Sequence, residues 1–192
     1  MKKAILFLIL SINTFSADFN TSFDKTIKYE GSTVFRSKFG EVSKYGITKN
    51  TLKLYNKTNS TTYEVEQINK EIAKRIYKER YWNSMKLTQL NNQSLANHIF
   101  DYGVNSGIYK ASSDLQDTCN ELIEEHGINI PKITKDGIVG SETIKTLNEI
   151  LQHLEEETII NKYRNKRLSF LKRLGAKWNT YGKGWTTRVN TL

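Results

Sequence analysis

Apolar positions recur at helical spacing along most of the chain, and glycines stand where that spacing breaks. Phe19, Phe23 and Ile27 are four residues apart and predict a first helix, which Gly31 closes by taking a left-handed conformation. Glu30, three residues beyond Ile27, then lies in the last turn and on the apolar stripe, not on the solvated face. From Thr33 to Thr48 the pattern shortens, and Tyr45 and Ile47 alternate with Lys44, Gly46 and Thr48 as in a small hairpin or irregular sheet. Thr61 and Glu64 have the spacing of a capping box. After them Val65, Ile68, Ile72, Ile76 and Tyr77 hold one helical face as far as Tyr81 and Trp82. Leu95, Ile99 and Tyr102 mark another helix, from which Asp101 and Asn105, four apart, project together as if to line a groove.

Beyond Gly107 a second, smaller unit is predicted. Leu115, Cys119, Leu122 and Ile123 form a stripe that Gly127 ends, Pro131 sits in the following loop, and Asp136-Gly137 makes a tight turn. Ser141 is placed to cap a helix carrying Ile144, Leu147, Leu151 and Leu154. A last helix carries Ile160, Tyr163, Phe170, Leu171 and Leu174 and closes at Gly175. The tail from Trp178 to Val189 is aromatic, glycine-rich and basic. No long-period repeat or low-complexity linker intervenes. The expectation is therefore a mainly helical α+β fold with a small β-hairpin region, in which residues 18–107 and a helical subdomain, 108–192, pack on each other.

Residues 1–17 change the picture of where the protein works. Lys2 and Lys3, the apolar run Ala4 to Leu10, and Phe15-Ser16-Ala17 follow the three-region pattern of a secretory leader, and the run is too short and too interrupted to span a bilayer. An exported protein, periplasmic or secreted, touching a membrane only transiently through this leader, is expected. Cys119 is the only cysteine, so no disulfide can form within the chain, and its position in an apolar stripe points to a buried side chain, not a nucleophile. The formal charge is +9 and stays strongly positive once Lys2 and Lys3 are removed, which suits an anionic polymer as partner. Export favours the bacterial cell wall over nucleic acid.

Glu30 is the residue with the most specific chemistry. A carboxyl at a helix carboxyl terminus faces the negative end of the helix dipole, and the neighbourhood of Phe23 and Ile27 penalises charge further; both effects favour the neutral acid. A neutral glutamic acid is what a glycosidase uses to protonate the departing sugar oxygen.

The motifs around it reinforce this reading. Tyr29-Glu30-Gly31, followed by Ser43-Lys44-Tyr45-Gly46-Ile47-Thr48, resembles the signature of glycoside hydrolase family 108, lysozyme-like N-acetylmuramidases. Ala73-Lys74-Arg75-Ile76-Tyr77 with Tyr81-Trp82 is similar to that family's next helix, and Phe100 to Gly107 to its phenylalanine-aspartate, valine-asparagine-x-glycine segment. Asp136 to Gly140 and Gly184 to Val189 resemble the peptidoglycan-binding half usually fused to it. The resemblance implies that Glu30 is the catalytic glutamate, that Ser43 stands where the family usually has threonine, and that Asp101 and Asn105 lie near the cleft. With Tyr45 from the same hairpin, these are the candidate substrate contacts. Glu30-Gly31-Ser32 departs from the usual Glu-Gly-Gly, the loop is one residue shorter, and Ser37 and Lys38 stand near the place of a familiar aspartate. The second carboxylate is accordingly open between Glu41, which reads rather as an exposed loop charge, and Asp101, which reads equally as a buried hydrogen-bonding residue tying helix to loop, with a water positioned by Ser43 as the alternative to either.

The remaining constellations carry less. His98, His126 and His153 lack metal-ligand spacing, and Asp136 begins no calcium loop, so no metal or other cofactor is expected. Trp178 and Tyr181, among Lys177, Lys183 and Arg188, are able either to stack on sugar rings or to pack back on the core, whereas Trp185, within the closing motif, is expected to pack back. The expected activity is hydrolysis of the β-1,4 bond between N-acetylmuramic acid and N-acetylglucosamine by a monomer acting on peptidoglycan strands. The rivals are a lytic transglycosylase and a non-catalytic wall-binding protein.

Overall fold

The computed structural model describes residues 16–36 and 40–192, and it is mostly helical with one small antiparallel sheet, as expected. Helix α1 (Phe19–Thr26) is capped by Asp18, whose carboxylate accepts a hydrogen bond from the Thr21 amide at 2.8 Å. It ends earlier than the apolar spacing predicts. A 3-10 turn, Ile27–Tyr29, follows, Glu30 has an extended backbone, and Gly31 is not left-handed. The cause lies across the fold: the Gly31 carbonyl accepts from the Tyr45 amide at 2.7 Å, so the chain leaves the helix to bond the hairpin.

That hairpin belongs to a sheet of β1 (Phe35–Arg36), β2 (Val42–Lys44) and β3 (Ile47–Thr48), with Ser43 opposite both Phe35 and Thr48. Tyr45 and Gly46, at φ +50° and +68°, form the two-residue turn whose twist suits a hairpin. Thr48 then caps α2 (Lys49–Asn59), a helix the apolar pattern does not announce because it buries little beyond Leu52 and Tyr55. The capping box lies three residues later than predicted: Glu64 and Gln67 satisfy each other around a short 3-10 turn, and Asn69 caps α3 (Lys70–Tyr77). A π-helical segment, Lys78–Asn83, continues α3 and turns Trp82 into the core.

Helix α4 (Gln93–Ser106) is buried from Leu95 to Gly103 and is the axis of the molecule. It packs against α1, against α5 (Ile108–Glu125) and against α7 (Glu156–Lys172). Cys119 is fully buried in α5, and burial pushes its thiol up to about 12, so it stays a small apolar side chain. Gly140, not Ser141, takes the cap position of α6 (Ser141–Ile150); the Ser141 hydroxyl accepts from Lys86 Nζ instead, at 2.8 Å. After Gly175 the glycine-rich tail forms a helix, α8 (Ala176–Asn190), antiparallel to α7. Packing against α7 overrides the low helix propensity of Gly182 and Gly184.

One continuous buried cluster runs from Ala17 to Tyr163, so the two expected units share a core. Residues 1–15 of the expected leader lie outside the described residues. Its last residue, Ala17, is packed, and its amide donates to the Leu90 carbonyl at 3.0 Å. Among the described residues no helix is long and apolar enough to cross a membrane.

Candidate active site

Three parts of the chain meet at Glu30. The turn after α1 presents its side chain, which is 16% exposed. The Tyr45-Gly46 turn lies directly against it, and a Cβ added to Gly46 would come within 2.5 Å of Glu30 Oε2. From below, the Tyr77 hydroxyl of α3 donates to the Tyr45 carbonyl at 2.8 Å and so ties the turn to the core. Burial, followed by the Glu30 charge, pushes the Tyr77 hydroxyl well above its usual range, so it remains a donor. Gly46 is thus required twice, for its left-handed backbone and for the close approach of the carboxyl. Gly46→Ala is expected to displace Glu30 and to lower activity by more than about tenfold, since an error of about 1 Å at a reacting group costs on the order of a hundredfold. Initial rates on purified cell-wall sacculi, with a melting curve to show that the variant folds, check this.

The third contribution comes from the far end of the sequence. Arg188 of α8 donates from Nη2 to Glu30 Oε1 at 2.9 Å and simultaneously grips Asp101 of α4, through Nε at 3.0 Å to both oxygens and through Nη2 at 2.8 Å to Oδ1. Arg167 of α7 donates to Asp101 Oδ2 at 2.8 Å and to Asn105 Oδ1 at 3.3 Å. Burial opposes the charge on Asp101, but Arg167 and Arg188 outweigh it and hold its carboxyl below the usual carboxylate range. The surroundings of Glu30 therefore differ from the expectation: its carboxyl meets a guanidinium instead of a bare helix terminus.

The structure brings the predicted residues together unequally. Ser43 and Tyr45 are half-buried on the hairpin beside Glu30, and Asn105 is half-buried under Arg167. Asp101 is 0% exposed, so it lies beneath the surface as the anchor of two arginines. Glu41 is exposed in the loop before β2, and Ser37 and Lys38 lie outside the described residues. Sequence reasoning missed Arg167, Tyr77 and the function of Gly46, and it read Arg188 only as part of a basic tail. The one signal for Arg188 was its place in the Gly184 to Val189 motif. No group of His, Cys, Asp or Glu among the described residues is arranged to hold a metal ion.

His98, one turn before Asp101 on α4, is 5% exposed. Burial first, then Arg164 and Arg167, push its imidazole from 6.5 down to about 4. Folded protein keeps this ring neutral while the unfolded chain protonates it, so stability is full above about 6.5 and falls as pH drops from there towards about 4. The loss reaches about 3 kcal/mol. Melting temperatures across that range should fall for the wild type and fall less for His98→Gln.

Residues 23–107 match the family model described as Glycosyl hydrolase 108, a span that contains Glu30, the hairpin, Asp101 and Asn105 and stops where α4 ends. The solved structure titled "Structure of Brucella abortus SagA" is similar over 90% of this chain and 89% of its own, with a TM-score of 0.68 and 26% sequence identity. No curated protein matches the chain. The family match supports a glycoside hydrolase. Residues after Gly107 fall outside it, yet they supply the two arginines of the site.

Proposed function

We propose that the protein is a peptidoglycan-cleaving muramidase in which Glu30 is the general acid. The observation that carries this is the setting of Glu30: a partly exposed carboxyl within a glycosyl hydrolase match, held at one oxygen by Arg188 and packed by the other against Gly46, which has no side chain. A glycan lying across the hairpin would meet Ser43 and Tyr45 first. Glu30 then delivers its proton to the bridging oxygen as the bond from the muramic acid C1 breaks. Water adds its oxygen to C1, and its proton returns to the Glu30 carboxylate or to solvent, so the acid is regenerated.

Asp101, withdrawn beneath the surface and saturated by two guanidinium groups, is poorly placed to assist. This favours a single-carboxylate mechanism with water approaching from the Ser43 side, which inverts the anomeric centre. The expected leader and the basic charge suit an exported enzyme that meets the wall as a monomer.

Digestion of purified sacculi by the wild type and Glu30→Gln, with mass spectrometry of the muropeptides, tests the proposal. Products with reducing ends, formed only by the wild type, are expected. Products lighter by one water, carrying anhydro ends, would make the protein a lytic transglycosylase instead. Intact sacculi with both proteins bound to them would make it a wall-binding protein.

A further inference from the structure

A cavity of about 320 Å³ opens between the end of α2, the π-helical segment Lys78–Asn83 and the first residue of α5. Tyr55, Asn59, Glu79, Arg80, Ser84 and Ile108 line it. Both of its charges, the acid Glu79 and the base Arg80, stand on the π-helical turn, a geometry that is rare and is kept mostly at functional positions.

Arg80 is the residue whose setting the fold does not account for. Four described arginines are withdrawn from solvent, Arg80, Arg164, Arg167 and Arg188, and the last three each pair with a carboxylate. Arg80 has no ion-pair partner among the described residues; its Nε is buried without a hydrogen-bond partner, and its guanidinium meets only the neutral hydroxyl of Tyr81. A desolvated cation is normally matched by an anion, because burying it unpaired is costly. Glu79 does not serve: it is exposed and accepts from Asn59 Nδ2 at 2.9 Å.

Tyr81 connects this cavity with the candidate active site. Its ring centroid lies 5.5 Å from that of Tyr77, whose hydroxyl holds the Tyr45 turn. Burial raises the Tyr81 hydroxyl above its usual range, and the charges of Arg80 and Glu30 act on it in opposite directions. Ile108, on another wall, follows Gly107, the last residue of the family match.

A cation and an anion on adjacent residues, beside the apolar surfaces of Tyr55 and Ile108, match an amino-acid head group. The planar fork of Arg80 suits its carboxylate and the Glu79 carboxylate its ammonium. In peptidoglycan such heads are carried by the peptide stems that branch from muramic acid. We infer that this cavity holds the amino-acid end of a peptide stem and so makes the protein prefer stem-bearing glycan. The inference rests on the muramidase reading and adds a peptide contact to its sugar contacts.

Soluble glycan strands, with their stems and after an amidase has removed them, are titrated by calorimetry into the full chain carrying Glu30→Gln. This parent is expected to bind stem-bearing strands about tenfold more tightly than stripped ones, the worth of a hydrogen bond to a charged group. Adding Arg80→Gln is expected to erase that preference by weakening the stem-bearing strands alone, and Glu79→Gln to reduce it. Lys57→Gln removes the same charge from an exposed lysine of α2 outside the cavity and is expected to leave the preference intact. A parent without the preference overturns the inference, whether or not the Arg80 variant folds. So does an Arg80→Gln protein of unchanged melting temperature that weakens both ligands alike, or neither. Cutting of the strands by the parent, seen by mass spectrometry, defeats the reading of Glu30 instead.

Discussion

Replacing Glu30 with glutamine is expected to lower the rate of sacculus lysis by two to four orders of magnitude, the usual contribution of a positioned general acid. The amide has nearly the shape of the acid, and its carbonyl oxygen still accepts the Arg188 Nη2 bond that Glu30 Oε1 accepts now. Arg188 also retains its three bonds to Asp101. The fold is therefore expected to persist, with a melting temperature close to wild type, while the proton needed by the leaving oxygen is gone. Turbidity loss of purified sacculi measures the rate. A variant that clears them as fast as the wild type would place the acid elsewhere.

The largest effect on stability is expected from Asp101→Ala. Asp101 is fully buried and is the shared acceptor of Arg167, itself 2% exposed, and of Arg188. Its removal leaves Arg167 to the longer bond with Asn105 Oδ1, at 3.3 Å, and strands a cation inside the protein. Breaking a buried pair from one side costs about 3–5 kcal/mol. For a chain of this length that is a fall in melting temperature on the order of 10 °C. Activity should fall with it, because Arg188 loses the anchor that holds it against Glu30. A substrate-contacting Asp101 predicts the reverse: an unchanged melting curve and a raised KM.

Much of the scaffold could be read from residue spacing. The stripe Leu95, Ile99, Tyr102 is α4, and Leu115, Cys119, Leu122 is the buried side of α5, because long helices with one apolar face announce themselves by period. The hairpin was visible in the alternation around Tyr45 and Ile47. Short elements were not. The four-residue spacing of Phe19, Phe23 and Ile27 does not show that the last turn tightens and the chain then extends, since that change is driven by a hydrogen bond to Tyr45. The tail was equally opaque: two glycines argue against a helix until α7 is there to pack on it.

For the candidate site, the order of residues along the chain was enough to single out Glu30 and the hairpin beside it, because both belong to local motifs within one short stretch. Tertiary structure alone decided the rest. It buried Asp101 under two arginines, brought Arg188 to Glu30 from 158 residues away, and left Gly46 as the gap into which the carboxyl fits. Local spacing records which side chains share a face. It holds no record of which distant charge that face will meet, because the partner of a buried ion is chosen by packing, and packing is settled only when the helices close.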